Sequence, residues 1–240
     1  MKTYLIAGAS RGLGKFLAES YSKFGNRVIC ISKNKKISSI NSFNYKVDLS
    51  SYNKSIKLFK ELEKKFKKID YLISCVGKSN FNHQAKSLKA WQEAINNNLF
   101  SNVNLINSYV KSFKKKSINS KIILFSSIAG SKVIDAPISY STSKAALNYY
   151  CKHQAKILSK LKIKINVISP GNILLDGNVW DKKIKKDKKG TLKYIKKNVP
   201  LNDFCKPEQI KDLCDYLLSN SGDFITGSNF IIDGGQVVNG

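Results

Sequence analysis

Tyr140 and Lys144 stand four residues apart in Tyr140-Ser-Thr-Ser-Lys144, a spacing that puts both side chains on one face of a helix. A lysine ammonium beside a phenol favours the phenolate and lowers a pKa that is about 10 in water. The pair is a candidate general acid/base that works near neutral pH without histidine. Ser127 lies thirteen residues upstream of Tyr140, with Asn98 further back. At the start of the chain, Gly8-Ala-Ser-Arg-Gly12-Leu-Gly14 forms a glycine-rich turn. Such a turn between a strand and a helix brings backbone N–H groups and a helix N-terminus to a pyrophosphate. A dinucleotide held there could exchange a hydride with a substrate, so the set points to oxidoreductase chemistry. A tyrosine–lysine pair alone is common on solvated helices, and a serine after a strand commonly caps or turns. The joint order and spacing carry the reading.

The elements that must position these residues alternate strand and helix throughout. Apolar runs predict strands at Thr3–Ala7, Val28–Ile31, Tyr45–Val47, Tyr71–Val76, Ile122–Phe125, Ile163–Ile168 and Phe230–Ile232. Helical spacing is seen through Phe16–Phe24, Ile56–Phe66, Leu88–Phe113, Tyr140–Leu161 and Pro207–Leu218. Short buried strands alternating with helices predict an α/β fold. The expected architecture is a single-domain Rossmann fold over residues 1–240. Its doubly wound parallel sheet has about seven strands, with helices on both faces. The irregular stretch Asn172–Asn202 is expected to be a lid or substrate loop.

Composition narrows the function. The chain has 240 residues and 42% hydrophobic content, which suits one domain. No apolar run approaches the ~18–20 residues that span a bilayer, so no membrane insertion is expected. Five cysteines without C-x-x-C spacing, beside only His83 and His153, argue against disulfides and a metal site and for a cytoplasmic location. The net charge of +26 comes from 40 lysines and only Arg11 and Arg27. Specific nucleic-acid readers lean on arginine for bidentate contacts, so no specific nucleic-acid partner is expected. Lysine is spread through every segment, as a composition bias would spread it. The stretch Asp181–Lys197 carries nine lysines against two aspartates. It reads either as a solvated amphipathic helix with Val179, Trp180, Ile184 and Ile195 inward, or as a cationic rim for an acidic partner.

The glycine turn followed by Asn98, Ser127, Tyr140 and Lys144 resembles the short-chain dehydrogenase/reductase family. Further matches are Asn166-Val-Ile-Ser-Pro170-Gly171, Ile225-Thr226-Gly227 and Asp233-Gly234-Gly235, so the likeness covers nearly the whole chain. It is nearest to the 3-oxoacyl-acyl-carrier-protein reductase type of subgroup. The resemblance implies that Tyr140 exchanges a proton with the substrate oxygen and that Ser127 hydrogen-bonds that oxygen. It implies that Lys144 holds the nicotinamide ribose and keeps the Tyr140 pKa low, and that Asn98 kinks its helix to hold a relay water. Cofactor contacts are implied at Gly8, Ser10, Arg11, Gly12, Leu13, Gly14, Asp48, Leu49, Cys75, Val76, Gly77, Pro170, Gly171 and Ile173, as well as at Tyr140 and Lys144. A homotetramer or dimer through the long helices is implied too. The implied substrate is a small carbonyl or alcohol, with carriage on acyl carrier protein or coenzyme A as one reading. A sugar, polyol or activated sugar of surface-polysaccharide synthesis is the rival substrate, and a catalytically silent sensor or scaffold the remote one.

NAD-preferring sites place an acid about 20 residues beyond the glycine turn. Here no Asp or Glu occurs between Glu19 and Asp48, and the slot reads Ser32-Lys33-Asn34. Lys33 and Arg11 could face a 2′-phosphate, so NADP(H) is the expected cofactor. Three positions depart from the family pattern: Ala7 for threonine, Ser74-Cys75-Val76-Gly77 for Asn-Asn-Ala-Gly, and Leu175 for the threonine after Pro-Gly. The second of these is expected to leave the hydrogen bonding beside the cofactor weaker or different.

Overall fold

A computed structural model describes residues 1–34, 42–79, 87–114 and 119–237; His83 lies outside them. Seven parallel strands form one sheet in the order β3-β2-β1-β4-β5-β6-β7. They are β1 (Thr3–Ala7), β2 (Arg27–Ser32), β3 (Phe43–Lys46), β4 (Tyr71–Ser74), β5 (Lys121–Phe125), β6 (Lys164–Pro170) and β7 (Asn229–Ile232). The helices are α1 (Gly12–Lys23), α2 (Tyr52–Lys65), α3 (Leu88–Ile95), α4 (Ser101–Phe113), α5 (Ile138–Ser159), α6 (Val179–Lys186), α7 (Lys188–Asn198) and α8 (Pro207–Leu218).

The two-residue period of the strands divides the core. Leu5, Ile29, Leu72, Ile122, Leu124 and Ile165 point to one face, where α2, α4 and α5 pack with Phe59, Tyr109, Phe113 and Leu147. Tyr4, Ile6, Val28, Ile73, Ile123 and Ile168 point to the other, against Leu17 and Tyr21 of α1 and Ile210 and Cys214 of α8. Each fully buried large side chain contributes about 1.5–3 kcal/mol. This is the doubly wound arrangement that the alternation of apolar runs predicts.

Two expectations are corrected. The helical pattern from Leu88 to Phe113 is not one helix, because a five-residue π turn, Asn96–Phe100, separates α3 from α4. The stretch from Asn172 to Asn202 is largely ordered rather than a plain loop. Asn178 caps α6 by accepting from Trp180 N and Asp181 N, and Asp187 caps α7 by accepting from Gly190 N. Ile195 is buried, with Trp180 and Ile184 packed against it, so the amphipathic reading of these lysine-rich helices holds. Among the described residues no helix is long and apolar enough to cross a membrane.

Candidate active site

The glycine turn is built by close approach. Gly8 N and Ala9 N both donate to Ile31 O, which ties the turn to the end of β2. Gly8 has φ +78°, a conformation open to glycine, and a Cβ on Gly14 would lie 2.3 Å from the Gly8 carbonyl oxygen. Hence α1 can press against the turn only with glycine at 14. No side chain caps α1, and its first turn carries no acid. Its amino-terminal N–H groups therefore face a cleft of about 860 Å³ at the carboxyl ends of the strands.

Ser10, Arg11, Gly12, Leu13, Lys33, Asp48, Leu49, Cys75, Val76 and Gly77 line this cleft, as the sequence predicts, together with Gly8 and Gly14. Asn34 of the Ser32-Lys33-Asn34 slot lines it as well, with Lys78, Glu93, Asn97 and Ser101, which nothing in the sequence singles out. Lys33 does not stand free at the rim: its Nζ lies 2.8 Å from Asp48 Oδ2. Burial opposes ionisation of Asp48, but hydrogen bonds from Lys33 and Ser50 outweigh it and hold the carboxyl below its usual range. Pro170 ends β6 with Gly171 and Ile173 just beyond it, where Gly171 N donates to Ile232 O and Ile173 bridges to Cys205.

Ser127, Tyr140 and Lys144 converge through one contact between elements. Ser127 ends the extended chain after β5 and accepts from Ala129 N in the short 3₁₀ turn Ile128–Gly130. A Cβ on Gly130 would lie 2.7 Å from the carbonyl carbon of Lys144, so the turn rests directly on the backbone of α5. Ser126 Oγ donates to Lys144 O and Asn148 Nδ2 to Gly130 O, fastening the same contact. Tyr140 sits in the first turn of α5, half-buried, with Lys144 one turn further on and buried. Lys144 Nζ donates to Phe125 O at 2.8 Å and lies 5.8 Å from the centre of the Tyr140 ring.

The expected lowering of the Tyr140 pKa is not what this geometry gives. Burial pushes the phenol up, and its hydrogen bond with Ser127 only partly offsets that. Lysine carries the larger perturbation in the useful range: burial lowers Lys144 to about 8, against a small opposing effect of Cys75. Tyr140 gains no lowering from the ammonium because Lys144 Nζ donates to the Phe125 carbonyl at the end of β5.

Asn98 lies in the middle of the π turn and is fully buried. Its side chain clamps the segment after β4: Oδ1 accepts from Lys78 N at 2.8 Å and Nδ2 donates to Lys78 O at 3.1 Å. Asn98 Oδ1 and Lys144 Nζ lie 2.9 and 3.0 Å from the point a Cβ on Gly77 would occupy, so both reach the same spot. The main-chain oxygen of Asn98 accepts from Asn102 Nδ2 at 2.8 Å. Asn102 in turn accepts from Ser74 Oγ at 2.6 Å. The departure at Ser74 thus leaves this strand end bonded through a different partner set, one of the two expected outcomes. Asn102 was not foreseen, because an asparagine inside a helix has no sequence signature of its own.

The sequence pattern of the family described as Enoyl-(Acyl carrier protein) reductase matches residues 8–236. A 3-oxoacyl-acyl-carrier-protein reductase of Buchnera aphidicola subsp. Acyrthosiphon pisum is 29% identical over 246 residues, covering 98% of this chain and 97% of that one. An L-rhamnose 1-dehydrogenase (NADP(+)) of Thermoplasma acidophilum is 25% identical over 250 residues, covering 99% and 97%. Among solved structures, a 4-hydroxyisoleucine dehydrogenase complexed with NADH superposes with a TM-score of 0.88 at 26% identity, with both chains covered completely.

Proposed function

Because the chain belongs to the short-chain dehydrogenase/reductase family, whose members are oxidoreductases that bind a nicotinamide cofactor, we propose that it interconverts a carbonyl and a secondary alcohol with NADP(H), and that its substrate is a 3-oxoacyl thioester. The observation that carries the chemistry is the convergence of Ser127, Tyr140 and Lys144 beside a cleft that opens on an uncapped helix start.

The cleft fits a dinucleotide. The Gly8–Gly14 turn leaves the backbone open to a diphosphate, and the uncapped start of α1 directs N–H groups at it. Arg11 and Lys33 would meet a 2′-phosphate, with Asp48 holding Lys33 at the rim. The nicotinamide ring, when bound, supplies or accepts the hydride. Tyr140, kept as a neutral phenol by burial, donates its proton to the carbonyl oxygen. Ser127 hydrogen-bonds the same oxygen, which gathers negative charge in the transition state. Lys144, mostly charged at neutral pH with a pKa of about 8, adds a cation to that field and would hold the ribose hydroxyls. Asn98 fixes the segment around Lys78 and, through the kink of its helix, would place a water on the relay to Lys144.

The thioester reading rests on the Buchnera relative, and the basic helices α6 and α7 of the 172–202 lid suit an acidic carrier such as acyl carrier protein or coenzyme A. The Thermoplasma relative supports a sugar as the second substrate reading. Exposed Phe100, Tyr149 and Ile157, on or beside α4 and α5, suit a homotetramer or dimer. Five free thiols suit a reducing cytoplasm. The test is consumption of NADPH with a short 3-oxoacyl thioester, beside sugar and polyol ketones, each repeated with NADH. Selective turnover of the thioester with NADPH is expected; turnover of sugars alone overturns the substrate. Tyr140→Phe should cost at least about 10²-fold in kcat and leave NADPH binding within about threefold. Surviving turnover would sink the proton-donor assignment.

A further inference from the structure

At the amino ends of the strands, opposite the cleft, lies a second cavity of about 350 Å³. Lys2, Lys68, Lys121 and Lys164 line it with only Asp70 and Asp223 for counter-charge, so four ammoniums surround two carboxylates. Sequence scatters these lysines over 162 positions, and the sheet gathers them. Lys2 precedes β1, Lys68 precedes β4, and Lys121 and Lys164 open β5 and β6 as register partners. Strands in register run about 4.8 Å apart, which sets two like charges side by side.

Each carboxylate is shared. Asp223 Oδ1 is 2.8 Å from Lys121 Nζ and 3.6 Å from Lys164 Nζ. Asp70 Oδ1 is 3.0 Å from Lys68 Nζ and 3.9 Å from Lys2 Nζ. One ammonium on each side of the cavity is left without a carboxylate of its own. Lys121 is not a solvated surface lysine: its side chain is 7% exposed, and its Nζ also donates to Ser219 O. A composition bias fills exposed faces with lysine, but burial of an ammonium at the first residue of an interior strand costs desolvation. Asp223 and the Ser219 carbonyl offset part of that cost, and a bound anion would add to them while serving Lys164 and Lys2, which hold the longer contacts.

We propose that this bowl is a binding site for a compact phosphate-type anion, phosphate or pyrophosphate, distinct from the dinucleotide cleft. Its size is at the small end of ligand cavities, which suits an inorganic ion rather than a nucleotide. Lysine ammoniums take phosphate oxygens as point charges, without the planar match that arginine needs. From Tyr71 at the bowl to Cys75 at the cleft the chain runs about 13 Å, the rise of four strand residues, so the two sites do not overlap. The site does not depend on the reductase reading.

The test is calorimetric titration with inorganic pyrophosphate, and separately with phosphate, at an ionic strength fixed with potassium chloride. Three proteins are compared: wild type, a bowl variant Lys68→Gln/Lys164→Gln, and a cleft variant Arg11→Gln/Lys33→Gln. The cleft variant should keep one anion per chain, and each bowl lysine removed should weaken that binding by about tenfold. Lys68 and Lys164 reach the surface, so the bowl variant is expected to fold; Lys2→Gln is the fallback. Protection of Lys2, Lys68 and Lys164 from acetylation by pyrophosphate, mapped by mass spectrometry, gives a second readout. Binding lost in the cleft variant and kept in the bowl variant overturns the proposal, as does no saturable binding above chloride.

Discussion

Substituting Gly130→Ala separates positioning from chemistry, because Gly130 touches α5 and lines no part of the cleft. The added Cβ would sit 2.7 Å from the Lys144 carbonyl carbon and 2.9 Å from both Ala145 N and Lys144 Cβ. Two of those atoms are backbone and cannot rotate away. Ordinary contact begins near 3.4 Å, so the turn and α5 must part by about 0.7 Å. Overpacking of this kind costs about 1–3 kcal/mol, which for a domain of this size lowers Tm by about 2–4 °C per kcal/mol. Ser127 rides on the turn, while Tyr140 and Lys144 ride on the helix, so the same shift pulls the hydroxyl pair apart. A misplacement of about 1 Å costs about 10²-fold, so about 0.7 Å should cost roughly 20- to 30-fold in kcat. The assay is steady-state NADPH oxidation with the best ketone substrate, beside thermal unfolding and NADPH titration. NADPH affinity should stay within about threefold, since residues 8–14 are untouched. A variant that loses Tm yet keeps wild-type kcat would refute the idea that this contact registers Ser127 with Tyr140.

Four further outcomes follow from the site. Reduction should slow as pH rises through about 8, where Lys144 loses its proton, and Lys144→Met should remove that limb of the profile. Burial lowers the folded pKa of Lys144 below its unfolded value of about 10.4, so its contribution to stability is present above the unfolded value and lost as pH falls through about 8; Lys144→Met should flatten unfolding free energy across that window. Lys33→Gln should weaken NADPH binding about tenfold more than NADH binding in paired titrations, and equal losses would dismiss the 2′-phosphate role. Ser74→Ala strips a buried partner from Asn102 and should cost about 1–3 kcal/mol in chemical denaturation, with kcat reduced because Asn98 loses its backing.

The parts of the fold that were legible from sequence are those with a one-dimensional signal. The interior strands read as apolar runs because both their faces are covered, and the glycine turn read as glycine because Gly8 and Gly14 admit no side chain. Edge strand β3 was placed two residues late, since its half-buried Phe43–Lys46 lacks such a run. The inward stripe of the lysine-rich stretch is legible from Trp180, Ile184 and Ile195, but its division into α6 and α7 is not. Cross-chain contacts left no trace. Nothing in sequence couples Lys33 to Asp48, Ser74 to Asn102 or Lys121 to Lys164, because each pair is brought together only when elements distant in the chain pack side by side.

The π turn at Asn96–Phe100 makes the placement of Asn98 a matter of counting as well as of residue type. Deleting one residue there would let α3 and α4 fuse into a regular helix. Each residue of an α-helix turns the chain about 100° and advances it 1.5 Å. Because the widened π turn houses one extra residue, the deletion would close it and move Asn98 off the position from which it clamps Lys78, while every side chain kept its identity. Length at this turn thus matters alongside the identity of Asn98.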